Sequence, residues 1–164
     1  MNQYYFIQSK VTDLKDLLYL LSVYRFQEKK IVFTDGCFDL IHRGHLKFLA
    51  NASDMGDIFI IGLNSDLSIG KIKGNGRPVQ DQGTRSILLS SLRFVDHVVL
   101  FDDPDSKEII KAIQPDILVK GEDFSVEEDP GVDFVRQNGG KVVVLNHLEG
   151  YSTLELINKV KNLS

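Results

Sequence analysis

Five short apolar runs rich in β-branched residues recur along the chain, and between them apolar residues fall three or four apart. The runs are Ile31 to Thr34, Ile58 to Leu63, His97 to Phe101, Ile117 to Lys120 and Lys141 to Asn146. Each is near-continuously apolar, as a strand covered on both faces must be. The intervening spacing predicts helices. Leu46, Leu49, Ala50 and Ser53 outline one that stops near Met55-Gly56, with Gly56 as its cap. Asp103-Pro104 reads as an N-cap and first-turn proline for a helix through Ile113. Another helix covers Val132 to Asn138 and ends at Gly139-Gly140. Ahead of all of these, Leu14, Leu17, Leu18 and Leu21 make an amphipathic helix after a Thr12 or Asp13 cap.

Strands alternating with helices predict an α/β fold: a doubly wound, Rossmann-like, five-stranded parallel sheet with helices on both faces. One domain over 1–164 is expected, with 1–28 as a leading helical segment and 29–164 as the catalytic core. Repeats, low-complexity tracts and linkers are absent from the sequence. In such folds ligands sit beyond the carboxyl ends of the strands, where the strand order reverses.

The loop after the first run therefore falls in the favoured place. It reads Asp35-Gly36-Cys37-Phe38-Asp39-Leu40-Ile41-His42-Arg43-Gly44-His45. Two imidazoles three residues apart, between glycines, admit a metal, a nucleophile partner or a phosphate. A metal needs three or four converging ligands, and only Cys37 and Asp39 accompany the histidines here. Cys37 follows a strand beside Phe38 and reads as a small packing residue. The G-x-G-x-x-G dinucleotide fingerprint is absent. Phosphate fits best: Gly36 lets backbone approach a ligand, and a helix opening near Gly44 offers free N–H groups to an anion.

Composition narrows the partners. A net charge of −4 gives no global attraction to nucleic acid or an anionic membrane, so an anionic ligand needs a local positive cluster. One cysteine excludes an internal disulfide and suits a reducing compartment. No secretory signal or membrane-length apolar run is visible, and a cytoplasmic location is expected.

The loop, with its His42-Arg43-Gly44-His45, resembles the H-x-G-H signature of the cytidylyltransferase-like nucleotidyltransferase superfamily. Asn64-Ser65-Asp66, Lys71-Ile72-Lys73-Gly74, Arg77-Pro78, Arg85, Val95 to Val99, Leu118 to Phe124 and Gly139 to Val143 extend the likeness. Together they resemble the adenylyltransferase domain of bacterial heptose-1-phosphate adenylyltransferases, over roughly Thr12 to Val160. The resemblance implies attack of a sugar phosphate on the α-phosphorus of ATP, giving ADP-heptose and pyrophosphate. It assigns catalysis to His42, His45 and Lys73, and nucleotide binding to Thr34, Gly36, Cys37, Phe38, Lys71, Arg85, Lys120, Gly121, Asp123, Ser152 and Thr153. Asp39, Asn64 and Asp66 go to the sugar phosphate. Lys71 and Lys73 would act from a closing loop between Ser68 and Gln82. The cofactor implied is Mg²⁺ on the triphosphate, with no metal held by the protein alone. Bifunctional relatives in this branch carry a sugar-kinase domain ahead, whereas only the short helical leader stands there in this sequence. A stand-alone transferase served by a separate kinase is therefore expected, with a homodimer allowed by the leading helix and sheet edges.

Two departures define the rivals. Asp35 stands where heptose adenylyltransferases often carry asparagine, and Arg93-Phe94-Val95-Asp96 resembles glycerol-3-phosphate cytidylyltransferases. The first alternative is thus CTP with glycerol 3-phosphate or a similar small phosphate. Leu154 replaces a family threonine in Ser152-Thr153-Leu154, which admits a nucleotide-binding module without catalysis. Ser152 with Glu155 also reads as a capping box.

Overall fold

The structure, a computed structural model, describes residues 2–122 and 130–163. Five strands form one parallel sheet: β1 (Ile31–Gly36), β2 (Ile58–Asn64), β3 (His97–Phe101), β4 (Ile117–Gly121) and β5 (Lys141–Leu145). Their order is β3-β2-β1-β4-β5. The chain runs outward from β1 in one direction and returns to its other side with β4, so the reversal lies between β1 and β4. All five strands match the apolar runs of the sequence.

Eight helices accompany them among the described residues: α1 (Gln3–Ser9), α2 (Leu14–Phe26), α3 (Arg43–Ser53), α4 (Asp66–Lys73), α5 (Gln82–Ser90), α6 (Lys107–Ile113), α7 (Pro130–Gln137) and α8 (Thr153–Lys161). Alternate strand residues point to opposite faces, which gives two cores. Ile31, Phe33, Ile60 and Leu118 face one side, with Leu17 and Leu21 of α2, Ile109, Ile110 and Ile113 of α6, and Val132 and Val135 of α7. Val32, Phe59, Ile61, Ile117 and Val119 face the other, with Leu49 and Ala52 of α3 and Leu89 of α5. The leading segment is part of this architecture: Leu17 and Leu21 are fully buried, and Val11 bridges Val98 in parallel.

Three local expectations are corrected. Gly56 does not cap α3, whose C-cap is Asp54 in ordinary right-handed helical geometry. Gly56 is instead a close-packing position, because an added Cβ would lie 2.6 Å from Val32 Cγ2 and 2.8 Å from the Lys30 carbonyl oxygen. The helix expected from Asp103-Pro104 begins only at Lys107, after Ser106. Residues 68–73, expected in a loop, are the body of α4, with Ser65 capping it through Ser68 N–H. No described helix is long and apolar enough to cross a membrane.

Candidate active site

The first loop turns from β1 into α3 at the carboxyl end of the sheet. His42 is the N-cap of α3 and His45 its third residue, and they bond reciprocally. The backbone N–H of His45 donates to His42 Nδ1 at 3.3 Å, and that of His42 donates to His45 Nδ1 at 3.4 Å. A nitrogen accepting a backbone proton carries none itself, so each neutral ring has its proton on Nε2. The rings stack with centroids 3.8 Å apart, which sets two Nε2–H donors side by side. Gly44 makes this fit: a Cβ there would lie 3.0 Å from His42 Nδ1 and 3.2 Å from Tyr151 Cβ.

Phe38 braces the loop. Its backbone takes φ 43°, a left-handed conformation uncommon for a bulky residue and costing about 1–3 kcal/mol. Its ring covers Gly36, where a Cβ would come within 3.0 Å, and meets the His45 ring edge-on at 5.5 Å.

Burial drives the His45 pKa down to about 4, helped by His42, His147 and Lys73, with a Leu40 backbone bond opposing. Burial also lowers His42, with His147 adding and Glu155 opposing. Both rings are therefore neutral hydrogen-bond donors near pH 7. The same influences map the surroundings. Lys73, exposed in the last turn of α4, acts on both His45 and Cys37. Lys71 is exposed on the same helix. Burial raises the Cys37 thiol while Lys73, Arg85 and Arg77 pull it down, and its Sγ lies 3.8 Å from Asn64 Oδ1. A thiol whose pKa is raised is protonated and inert, consistent with packing.

The N-terminus of α8 lies against that of α3. Arg43 Nη1 donates to Tyr151 Oη at 3.4 Å, and its guanidinium sits 5.8 Å from the Tyr151 ring. Ser152 Oγ accepts from Glu155 N–H at 3.1 Å, capping α8 next to Thr153. Two helix N-termini thus meet around the histidine pair, each leaving backbone N–H groups toward an anion. Leu154 is 64% exposed, so the lost hydroxyl leaves that arrangement of backbone intact.

Several residues expected at ligand are buried beneath it. Arg85 is fully buried, with Nε on the Gln80 carbonyl (3.0 Å), Nη1 on those of Cys37 (2.7 Å) and Asn64 (2.9 Å), and Nη2 on Asp66 (2.6 Å). It ties the ends of β1 and β2 to the turn before α5, as a strut beneath the loop that carries the histidine pair. Lys120 is buried, 2.6 Å from Asp35 Oδ1 and 3.2 Å from Ser106 Oγ. Thr34 Oγ1 donates to the Val119 carbonyl at 2.8 Å and joins β1 to β4 at the reversal. Gly121 ends β4 beside it, and Asp123 lies outside the described residues.

Of the acceptor set, Asp39 is buried and turned toward Arg77 and the backbone of Val79 and Gln80. Asn64 is also buried, its Nδ2 donating to Ser68 Oγ at 3.0 Å. Asp66 keeps 40% of its side chain exposed. The sequence reading gave no role to Arg77, His147 or the Arg43–Tyr151 contact. For His147 the available signal was position, two residues past the carboxyl end of β5.

A Rossmann-like sheet whose reversal point carries two neutral imidazole donors between helix N-termini defines a phosphate-handling α/β protein. The cytidylyltransferase-like family matches residues 33–158, and the chain belongs to that family. It is a nucleotidyltransferase. It is 47% identical over 135 residues to a bifunctional protein HldE of Campylobacter curvus, covering 82% of this chain and 28% of that protein. A bifunctional protein HldE of Campylobacter jejuni subsp. doylei is 43% identical, over 94% of this chain and 32% of its own. The chain thus spans about three tenths of the length of these relatives. Among solved structures, a lipopolysaccharide core biosynthesis protein from Thermoplasma volcanium superposes with a TM-score of 0.62 at 26% identity. That match covers 74% of this chain and 99% of the other.

Proposed function

We propose that the chain transfers AMP from ATP to a sugar 1-phosphate, D-glycero-D-manno-heptose 1-phosphate, giving ADP-heptose and pyrophosphate. The observation that carries the reading is the reciprocally bonded, stacked His42–His45 pair at the N-terminus of α3, where the start of α8 approaches through Tyr151. The sequence likeness to heptose-1-phosphate adenylyltransferases, and the high identity to bifunctional proteins HldE, support the choice of acceptor.

The acceptor phosphate is already an anion, so no strong base is required. It attacks the α-phosphorus and the bond to the β-phosphate oxygen breaks, releasing pyrophosphate. His42 and His45 donate to oxygens on which negative charge grows, and the N–H groups of α3 and α8 hold the α-, β- and γ-phosphates. Lys73 neutralises charge from the end of α4. Alignment of the two phosphates supplies the rest of the rate.

Mg²⁺ would enter on the triphosphate's own oxygens. The carboxylates nearest the loop suit that arrangement, because Asp35, Asp39 and Asp66 are each already paired with Lys120, Arg77 and Arg85. The ion would shield the leaving pyrophosphate.

ATP is the nucleotide proposed, on the likeness to heptose-1-phosphate adenylyltransferases, and the two residues behind the rival are engaged or placed elsewhere. Asp35 is 13% exposed and paired at 2.6 Å with Lys120. Arg93 precedes β3, whose amino end is opposite the site. Pyrophosphate release should be measured with ATP or CTP against heptose 1-phosphate or glycerol 3-phosphate. Release with ATP and heptose 1-phosphate alone is expected; release with CTP alone would overturn the nucleotide, and silence in all four would overturn the acceptors.

A further inference from the structure

Asp39 and Arg77 form a unit that the chemistry above leaves without a role. Asp39 Oδ1 accepts from the N–H groups of Val79 (2.8 Å) and Gln80 (2.9 Å), and Oδ2 from Arg77 Nε (2.7 Å) and Val79 N–H (2.9 Å). A carboxylate offers about four lone-pair sites, and three donors meet them here, the Val79 N–H shared between both oxygens. Asp39 is therefore committed to the segment 77–80, and its charge is paired with Arg77.

Arg77 is in the opposite condition. Among the described residues only Nε has an acceptor, and Nη2 is buried without one. A buried donor left unmade is destabilising, so Nη2 is open to an acceptor that a ligand brings. The position is suited to one. Asp39 lies three residues before His42 in the same loop, and the Arg77 charge reaches Cys37 at the end of β1 together with that of Lys73. These cations come from the segment 73–77, whereas the α8 N-terminus approaches the histidines through Arg43 and Tyr151. The site thus has two anion-attracting flanks, as a reaction between two phosphates requires. A guanidinium also matches a phosphate with paired donors, which an ammonium cannot.

We infer that Arg77 is the specificity-determining residue that receives the phosphate of the acceptor, and that Asp39 is the positioning residue that presents it. This rests on the reading that the acceptor is a phosphate. Arg77→Gln and Arg77→Lys should be compared with the parent protein, each saturated with Mg²⁺ and the non-cleavable α,β-methylene analogue of ATP. Inorganic phosphate is then titrated in by calorimetry, and the analogue alone is titrated as a control of folding.

Arg77→Gln should weaken phosphate about ten- to hundred-fold while the analogue's affinity stays within about twofold. Arg77→Lys should recover part of the loss, and Asp39→Asn should raise the acceptor KM more than it lowers kcat. Equal phosphate affinity in parent and Arg77→Gln would overturn the inference. So would equal loss of the ATP analogue, or no phosphate binding by the loaded parent. If the parent binds phosphate but turns over no heptose 1-phosphate, the proposed acceptor fails while the titration still decides the role of Arg77.

Discussion

Replacing Arg85 by methionine should destabilise the protein far more than a surface arginine would. The stem volume is largely kept, so the loss is chiefly polar. Three backbone carbonyls, those of Cys37, Asn64 and Gln80, lose a charged donor at 2.7–3.0 Å in a fully buried place. Each such bond is worth about 1.5–3 kcal/mol on its own, and they do not add because one guanidinium makes them all. Asp66 loses its partner too, but at 40% exposure it regains water. Removing one side of a buried pair costs about 3–5 kcal/mol, and the expected loss lies in that range. For a chain of this size it lowers Tm by roughly 6–20 °C. Urea and thermal unfolding, followed by circular dichroism, measure it, with Asp66→Asn expected to cost only about 1 kcal/mol. Since Arg85 ties the ends of β1 and β2, the variant should also bind ATP more weakly at temperatures where it remains folded. A loss below about 1 kcal/mol would refute the strut, because it would mean that water or a rearranged turn satisfies the three carbonyls.

The other expectations concern the site and its charges. His42→Asn keeps an N-cap oxygen and removes one Nε2–H, so stability should hold within about 1 kcal/mol while kcat falls about 10²- to 10³-fold; an unchanged kcat in a pyrophosphate assay would remove His42 from the chemistry. Folded His45 binds fewer protons than unfolded His45 between its ordinary 6.5 and about 4, so stability is lost as pH falls through that window. The contribution is about 2–3 kcal/mol, read as the difference in urea midpoints between the parent and His45→Asn at pH 7 and pH 4. A parallel pH dependence in both proteins would contradict it. Lys120→Met strands the largely buried Asp35 and should cost about 3–5 kcal/mol, whereas pairing it with Asp35→Asn should recover most of the loss; additive losses in unfolding experiments would argue against the ion pair.

The sequence by itself determined the sheet and the place of the site. Apolar runs long enough for one strand each, separated by helical spacing, admit few arrangements other than a parallel sheet covered on both faces. The glycine-flanked histidine loop after the first run then falls at its carboxyl end. Helix boundaries were less legible where short-range signals compete. Asp103-Pro104 carries the local signs of a helix start, yet the helix begins at Lys107. Gly56 has the composition of a cap but is needed for its small size against Lys30 and Val32.

Which charged residues face a ligand was decided only by tertiary structure. Arg85, Lys120, Asp39 and Asp66 stand at motif positions, and sequence alone cannot tell a charge that meets substrate from one that meets another charge. The fold settles this by bringing partners together from far along the chain: Lys120 to Asp35, Arg85 to Asp66 and the carbonyls of Cys37 and Asn64, Arg77 to Asp39. A buried charge must find a counter-charge, and that partner is chosen by topology. The tautomers of His42 and His45 follow the same rule, since the helix turn that brings each Nδ1 to a backbone N–H and leaves the proton on Nε2 exists only once α3 has formed.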